Sequence, residues 1–309
     1  VNTILKNLDL NNGDQIIVTD HTYEACRNIV DYVTKSVGAE TIVVEIPFNV
    51  KNQKEVIEII MNSVCEKTVL ALIDTVTSPT GMRMPFEEII RRLEKENIDV
   101  LLDAAHGAGI IDLDLRQINA AYVTGNCHKW LCSPKGSAFL HIREDKKETI
   151  RPLSISHGAS FAGDVQDKFE YEFAWSGTYD PTPWMCIPKS IQHMEMMVNG
   201  GWDEIMERNR KLAIKGRNIL CEELGIKPPF PDDMVSAIAS LELPDKEIPP
   251  FSIQGDPLHN KLLDEYSIQV PVFPWKLHNK RYIRISCLLY TSDAADEGLG
   301  VDLGGRRII

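Results

Sequence analysis

No apolar run in this sequence reaches the roughly 18–20 residues that a helix needs to span a bilayer. Basic residues are also short. Against 45 Asp and Glu stand 33 Lys and Arg, a net charge of -12, which argues against nucleic acid and anionic membranes as partners. The seven cysteines among 309 residues form no paired framework, so a reducing compartment suits them better than a secreted one. Cys127 and Cys132 lack a second cysteine or histidine pair at zinc-site spacing, so no metal is expected. Internal repeats, low-complexity tracts and a signal- or transit-peptide pattern are missing. The run His106-Gly107-Ala108-Gly109 stops short of the full Gly-x-Gly-x-x-Gly of dinucleotide binders. What remains is an ordinary globular composition, 43% apolar and 25% charged. A cytoplasmic location is expected, with organellar targeting left open because the chain begins at Val1 rather than methionine.

The chain alternates strand-like and helix-like stretches. Val1 to Leu8 reads as the end of a helix, and Asn11-Asn12-Gly13-Asp14 as a turn. Strands are expected at 15–19, 41–46, 69–76, up to Asp103, up to Thr124 and at 138–142. Helices are expected at 21–38, 52–65 and 85–96. Such alternation implies βαβ units and a mostly parallel sheet. Residues 150–180, rich in Gly, Ser and aromatics, read as a long ordered excursion with little periodicity. Residues 188–223 read as helical with a break at Gly200-Gly201. Strands at 234–243, 268–272 and 282–285 with a helix near 258–266 suggest a small α+β second domain. The expected division is 1–185 for the large domain and 186–286 for the small one.

Two strand ends carry chemistry. The apolar run Val100-Leu101-Leu102 ends in Asp103, and Ala120 to Val123 leads into Thr124-Gly125-Asn126-Cys127-His128-Lys129-Trp130. A carboxylate and a lysine at the ends of two strands converge at the edge of a parallel sheet where open α/β folds bind ligands. Pyridoxal phosphate needs this pair: a lysine to form its Schiff base and a carboxylate to keep its pyridine nitrogen protonated.

The motifs Asp103-Ala104-Ala105-His106 and Asn126-Cys127-His128-Lys129 together resemble class V of the pyridoxal-phosphate-dependent aminotransferase superfamily. The run TGNCHKWLCSPKGSAFL is most similar to its isopenicillin-N epimerase-like branch, and the resemblance extends from Val1 to about Ser286. It implies a type I pyridoxal-phosphate fold and a homodimer with sites at the subunit interface. It implies pyridoxal 5'-phosphate as cofactor, held by Lys129 and salt-bridged by Asp103. His106 matches the residue that hydrogen-bonds the cofactor's phenolic oxygen, where many relatives have glutamine. Asn126 and His128 match phosphate ligands, with asparagine in place of the usual serine. Tyr23 matches the aromatic stacked on the pyridine face, and Ser78 a polar contact near the ring. Thr178, in Trp175-Ser176-Gly177-Thr178, matches the residue that reaches the partner subunit's phosphate. Arg284 matches the arginine that grips the substrate α-carboxylate, a task suited to a planar two-pronged donor.

Two departures stand out. An Asn-Ala-Thr-like turn that places phosphate at a helix N-terminus in relatives is absent ahead of Val1. The stretch Ser267-Ile268-Gln269-Val270-Pro271 lacks the loop cysteine of the cysteine desulfurases. The resemblance implies catalysis through an α-carbanion on a small amino-acid substrate, epimerase-like first. A cysteine desulfhydrase-type C–S lyase or a class V aminotransferase is the alternative. A non-catalytic binding protein on the same fold is disfavoured, because Lys129, Asp103 and Arg284 are all present. Cys287 to Ile309, CLLYTSDAADEGLGVDLGGRRII, breaks in composition and resembles an in-frame translation of a sequencing adapter. It is expected to be non-native, and the chain a fragment of a longer protein.

Overall fold

A computed structural model describes residues 1–244, 249, 255–275 and 280–288. Helix α1 (Asn2–Asn7) precedes strand β1 (Gln15–Thr19), helix α2 (Glu24–Val37) and strand β2 (Glu40–Val44). Helix α2 stops at Gly38, whose φ of 76° is open to glycine and strained for other residues. Helix α3 (Gln53–Met61) begins at Asn52, whose side chain accepts a bond from the Glu55 amide. Then come β3 (Thr68–Asp74), α4 (Phe86–Lys95), β4 (Asp99–Asp103), β5 (Tyr122–Asn126) and β6 (Ala138–Ile142).

These strands form one sheet in the order β2-β1-β3-β4-β5-β6. All its pairs are parallel except β5 with β6. Side chains alternate across a sheet, and the buried residues obey that period. Ile16, Val18, Leu70, Leu72 and Leu101 pack with Ile4, Leu5, Ile29, Val30 and Val33 of α1 and α2. Ile17, Ala71, Ile73, Val100 and Leu102 face the other way, onto Val56, Ile57, Ile60, Phe86, Ile89 and Leu93 of α3 and α4. Burial on both faces is what the near-continuous apolar runs of these strands require.

Beyond the sheet come α5 (Val165–Ala174), α6 (Thr182–Met185), α7 (Ile187–Glu195) and α8 (Gly201–Leu224). A second sheet, order β7-β9-β8, is antiparallel and comprises β7 (Ile238–Glu242), β8 (Val272–Trp275) and β9 (Lys280–Ser286), with α9 (Pro257–Tyr266) between β7 and β8. Trp275 and Tyr282 of this sheet join the core that packs against α3 and α4, so the two sheets share apolar contacts.

Two sequence expectations are corrected. Residues 150–180 contain helix α5. Its signal was obscured because Phe169, Tyr171 and Phe173 alternate like a strand. The helix is capped by Asp164, which accepts from the Asp167 amide at 2.9 Å, and Phe169 and Phe173 lie one turn apart with ring centroids at 4.6 Å and planes tilted by 35°. The strand read at 268–272 begins only at Val272. Residues before it close α9 instead: Ser267 takes φ 58°, the Ile268 amide donates to Leu262 O, and Val270 O pairs with His259 Nδ1 at 2.6 Å.

Of the segment 287–309, residues 289–309 lie outside the described residues. Cys287 is buried, and its amide donates to Ala237 O at 2.8 Å.

Candidate functional site

The parallel register places Asp74 opposite Asp103, at the carboxyl ends of the neighbouring strands β3 and β4. Both are buried. Asp103 Oδ1 accepts from the Ala105 amide at 2.9 Å, and Oδ2 lies 3.4 Å from the Cys26 thiol on α2. Neither contact is a cation, so the carboxylate keeps capacity for a protonated nitrogen. Asp74 has one weak contact, the Thr22 hydroxyl at 3.5 Å. Burial raises the Asp74 pKa well above the ordinary range, and the nearby Asp103 charge adds to the rise.

Lys129 follows β5, and its Nζ lies 3.1 Å from His106 Nε2. His106 Nδ1 lies 3.0 Å from the Trp130 indole nitrogen, which donates to it. Burial lowers the Lys129 pKa, with Arg284 acting in the same direction while Asp103, Cys26 and Asp74 oppose. Burial, then Lys129 and Arg284, push the His106 pKa down to about 3, so the ring is neutral at physiological pH.

Arg284 sits on β9, far along the chain, yet its charge acts on both Lys129 and His106. Its Nη1 donates to Ser78 O, while its Nε is buried without a partner among the described residues. A buried unpaired donor is costly, and a carboxylate is the partner that suits a guanidinium fork. Burial also lowers the Arg284 pKa. The loop before it is anchored too, since Pro79 O accepts from the Ser240 hydroxyl of β7 at 2.8 Å.

The structure thus gathers Asp103, His106, Lys129, Arg284 and the backbone of Ser78. Ser78 enters through its carbonyl. Asn126 and His128 form a pair of their own, Nδ2 to Nε2 at 3.1 Å, with His128 Nδ1 against Ser137 O at 2.8 Å. A carbonyl only accepts, so His128 carries its hydrogen on Nδ1 and takes the Asn126 amide on Nε2. Tyr23 is exposed at the N-cap of α2, one turn ahead of Cys26. Thr178 is exposed after Gly177, which has φ 130°, and no contact among the described residues ties it to Lys129.

Asp74, Cys26 and Trp130 were missed as site residues. Asp74 carried the same signal as Asp103, an apolar run ending in aspartate. Cys26 and Trp130 had no such signal, since only the packing of α2 and of the loop after β5 brings them in.

The donor set fits a pyridoxal phosphate: a buried carboxylate, a lysine of lowered pKa, a neutral histidine, and an arginine with an unpaired buried nitrogen. The two facing carboxylates also predict a pH effect. A carboxylate whose folded pKa is raised binds more protons folded than unfolded, so it costs stability as pH rises above the unfolded value. Asp74→Asn is therefore expected to melt at a higher temperature than the parent at neutral pH in the cofactor-stripped protein. The gain should vanish as pH falls below the ordinary value of 3.8. A gain that persists unchanged in acid, or a lower melting temperature at pH 7, would count against this.

The sequence model of the family described as Aminotransferase class-V matches residues 1–231. A protein named probable L-cysteine desulfhydrase, chloroplastic, from Arabidopsis thaliana is 27% identical over 84% of this chain and 56% of its own length. An isopenicillin N epimerase from Amycolatopsis lactamdurans is 26% identical over 93% of this chain and 72% of its own. Among solved structures, the apo cysteine desulfurase of Thermococcus onnurineus NA1 shares the fold. It has a TM-score of 0.73 at 18% identity and covers 94% of this chain and 72% of that one. The chain spans little more than half the length of the desulfhydrase it matches.

Proposed function

The chain belongs to the class V aminotransferase family of pyridoxal 5'-phosphate enzymes, and on that premise we propose that it eliminates a β-sulfur substituent from an amino acid such as L-cysteine. When bound, the cofactor supplies the electron sink that acidifies the α-carbon. Lys129 holds it and serves as the base for the α-proton, a role helped by the lowered pKa that burial imposes. Asp103 keeps the pyridine nitrogen protonated. Arg284 holds the substrate carboxylate through its unpaired Nε. His106 is a neutral hydrogen-bond partner. The Asn126 amide keeps a second hydrogen for phosphate, whereas the one hydrogen of His128 is engaged by Ser137. Tyr23 remains the proposed stacking aromatic. Thr178 and the homodimer it would bridge belong to the same reading.

The observation that favours elimination is the state of the thiols. A desulfurase needs a thiolate that reaches the substrate sulfur. Residues 267–271 carry none and are committed to closing α9. Cys26, the thiol at the site, has its pKa pushed up by burial and then by Asp103, so it stays protonated. Sulfur should therefore leave as free sulfide. Elimination also needs one base, Lys129, whereas two-base epimerisation needs a second proton-carrying group on the opposite face of the α-carbon.

Full-length protein incubated with pyridoxal phosphate and L-cysteine, without reductant, is expected to convert cysteine and water to hydrogen sulfide, pyruvate and ammonia in equal amounts. Alanine with a protein-bound persulfide would move the protein to the desulfurases. Inertness toward cysteine, with exchange of the α-proton of a larger amino acid in deuterated water, would move it to the epimerases.

A further inference from the structure

We propose that Trp130 is a positioning residue that fixes His106 as the Nε2–H tautomer, so that residue 106 acts at the cofactor site only as a hydrogen-bond donor. An indole nitrogen donates and never accepts. With Trp130 Nε1 at 3.0 Å from His106 Nδ1, that ring nitrogen must accept and carries no hydrogen. A neutral imidazole then has its hydrogen on Nε2, the atom 3.1 Å from Lys129 Nζ. A doubly protonated ring would set two N–H groups against each other at Trp130. The same logic reaches Lys129. If Nε2 donates, Nζ must accept, and only the free amine can. The geometry thus selects the uncharged lysine and denies His106 a role as proton acceptor at Nε2. Burial of the ring and the neighbouring Arg284 charge act in the same sense.

Trp130 is placed to impose this because it is itself fixed. It is 6% exposed within the main core. The loop carrying His106 returns against it through Gly109, at φ 93°, where an added Cβ would lie 2.8 Å from the Trp130 carbonyl carbon. Histidine and tryptophan are therefore held from the carboxyl ends of two neighbouring parallel strands, β4 and β5, with ring centroids 6.4 Å apart.

The inference rests on Lys129 holding the cofactor, but its primary test does not need turnover. In full-length holoenzyme labelled with ¹⁵N-histidine, the His106 ring should show a protonated Nε2 and a bare Nδ1, and Trp130→Phe should shift the ring toward a tautomer mixture. Kinetics supply a second readout. Trp130→Phe should lower kcat/KM about tenfold, the scale of one well-placed hydrogen bond. In a His106→Phe background it should cost almost nothing further, because no ring nitrogen is left for the indole to orient. Lost packing would instead lower activity by the same factor in both backgrounds. That result, or a wild-type His106 carrying its hydrogen on Nδ1, would overturn the proposal. A wild-type holoenzyme inactive on every amino acid tried, with the Nε2–H signature intact, would sink the proposed reaction and leave the tautomer assignment standing.

Discussion

Lys129→Ala is expected to cut sulfide release from L-cysteine by about 10³-fold or more, the scale of losing a positioned base together with cofactor attachment. The fold should survive. Lys129 is half-buried, its Nζ makes one hydrogen-bond contact among the described residues, to His106, and it belongs to none of their apolar clusters. Removing it also takes out an amine whose charged form burial disfavours, so the melting temperature should hold. Lys129→Arg should be equally inactive, because a guanidinium stays protonated and cannot serve as base or nucleophile. Borohydride treatment of the parent holoenzyme should fix the cofactor to the one peptide containing Lys129, and neither variant should be labelled there. Either variant retaining activity within tenfold of the parent, or label on a peptide lacking Lys129, would remove the lysine from its assigned role.

Arg284→Leu separates function from stability. An arginine kept for packing or ion pairing should cost stability when removed. Here Nε is buried without a partner and the remaining bond runs to one carbonyl, Ser78 O. An unpaired buried donor costs roughly 1–3 kcal/mol, so leucine should leave the melting temperature unchanged or raise it. Substrate binding should suffer instead. Two charge-assisted hydrogen bonds to a carboxylate are together worth about 3 kcal/mol, or about 10²-fold in affinity. The loss should appear mainly in KM, with kcat less affected, because the carboxylate is held in ground and transition states alike. A melting temperature lowered by many degrees with KM intact would make Arg284 a structural residue. Glycine-derived amines without a carboxylate should show no difference between parent and variant.

Much of this protein was legible as a string. The period-two burial of β1, β3 and β4, the stop of α2 at Gly38 and the Asn52 cap are short-range effects, decided by neighbours within a turn or a strand. The placement of Lys129 and Asp103 at one sheet edge was legible for the same reason, since Asp103 ends one apolar run, Lys129 lies shortly after another, and a parallel sheet brings such ends together. Other features depended on which strands pair. Asp74 faces Asp103 only because β3 lies beside β4 in a register that aligns them. Helix α5 hid behind an alternation of aromatics that only packing resolves. Arg284 was named by motif, but its unpaired Nε and its hold on Ser78 come from the second sheet docking on the loop after β3. The proton on His106 was beyond any sequence pattern. Both tautomers are accessible in water, and the folded chain fixes the choice by aiming an indole N–H at one ring nitrogen and not the other. Local order is written in neighbouring residues, whereas the electrostatics of a site are set by groups that meet only after the chain has closed.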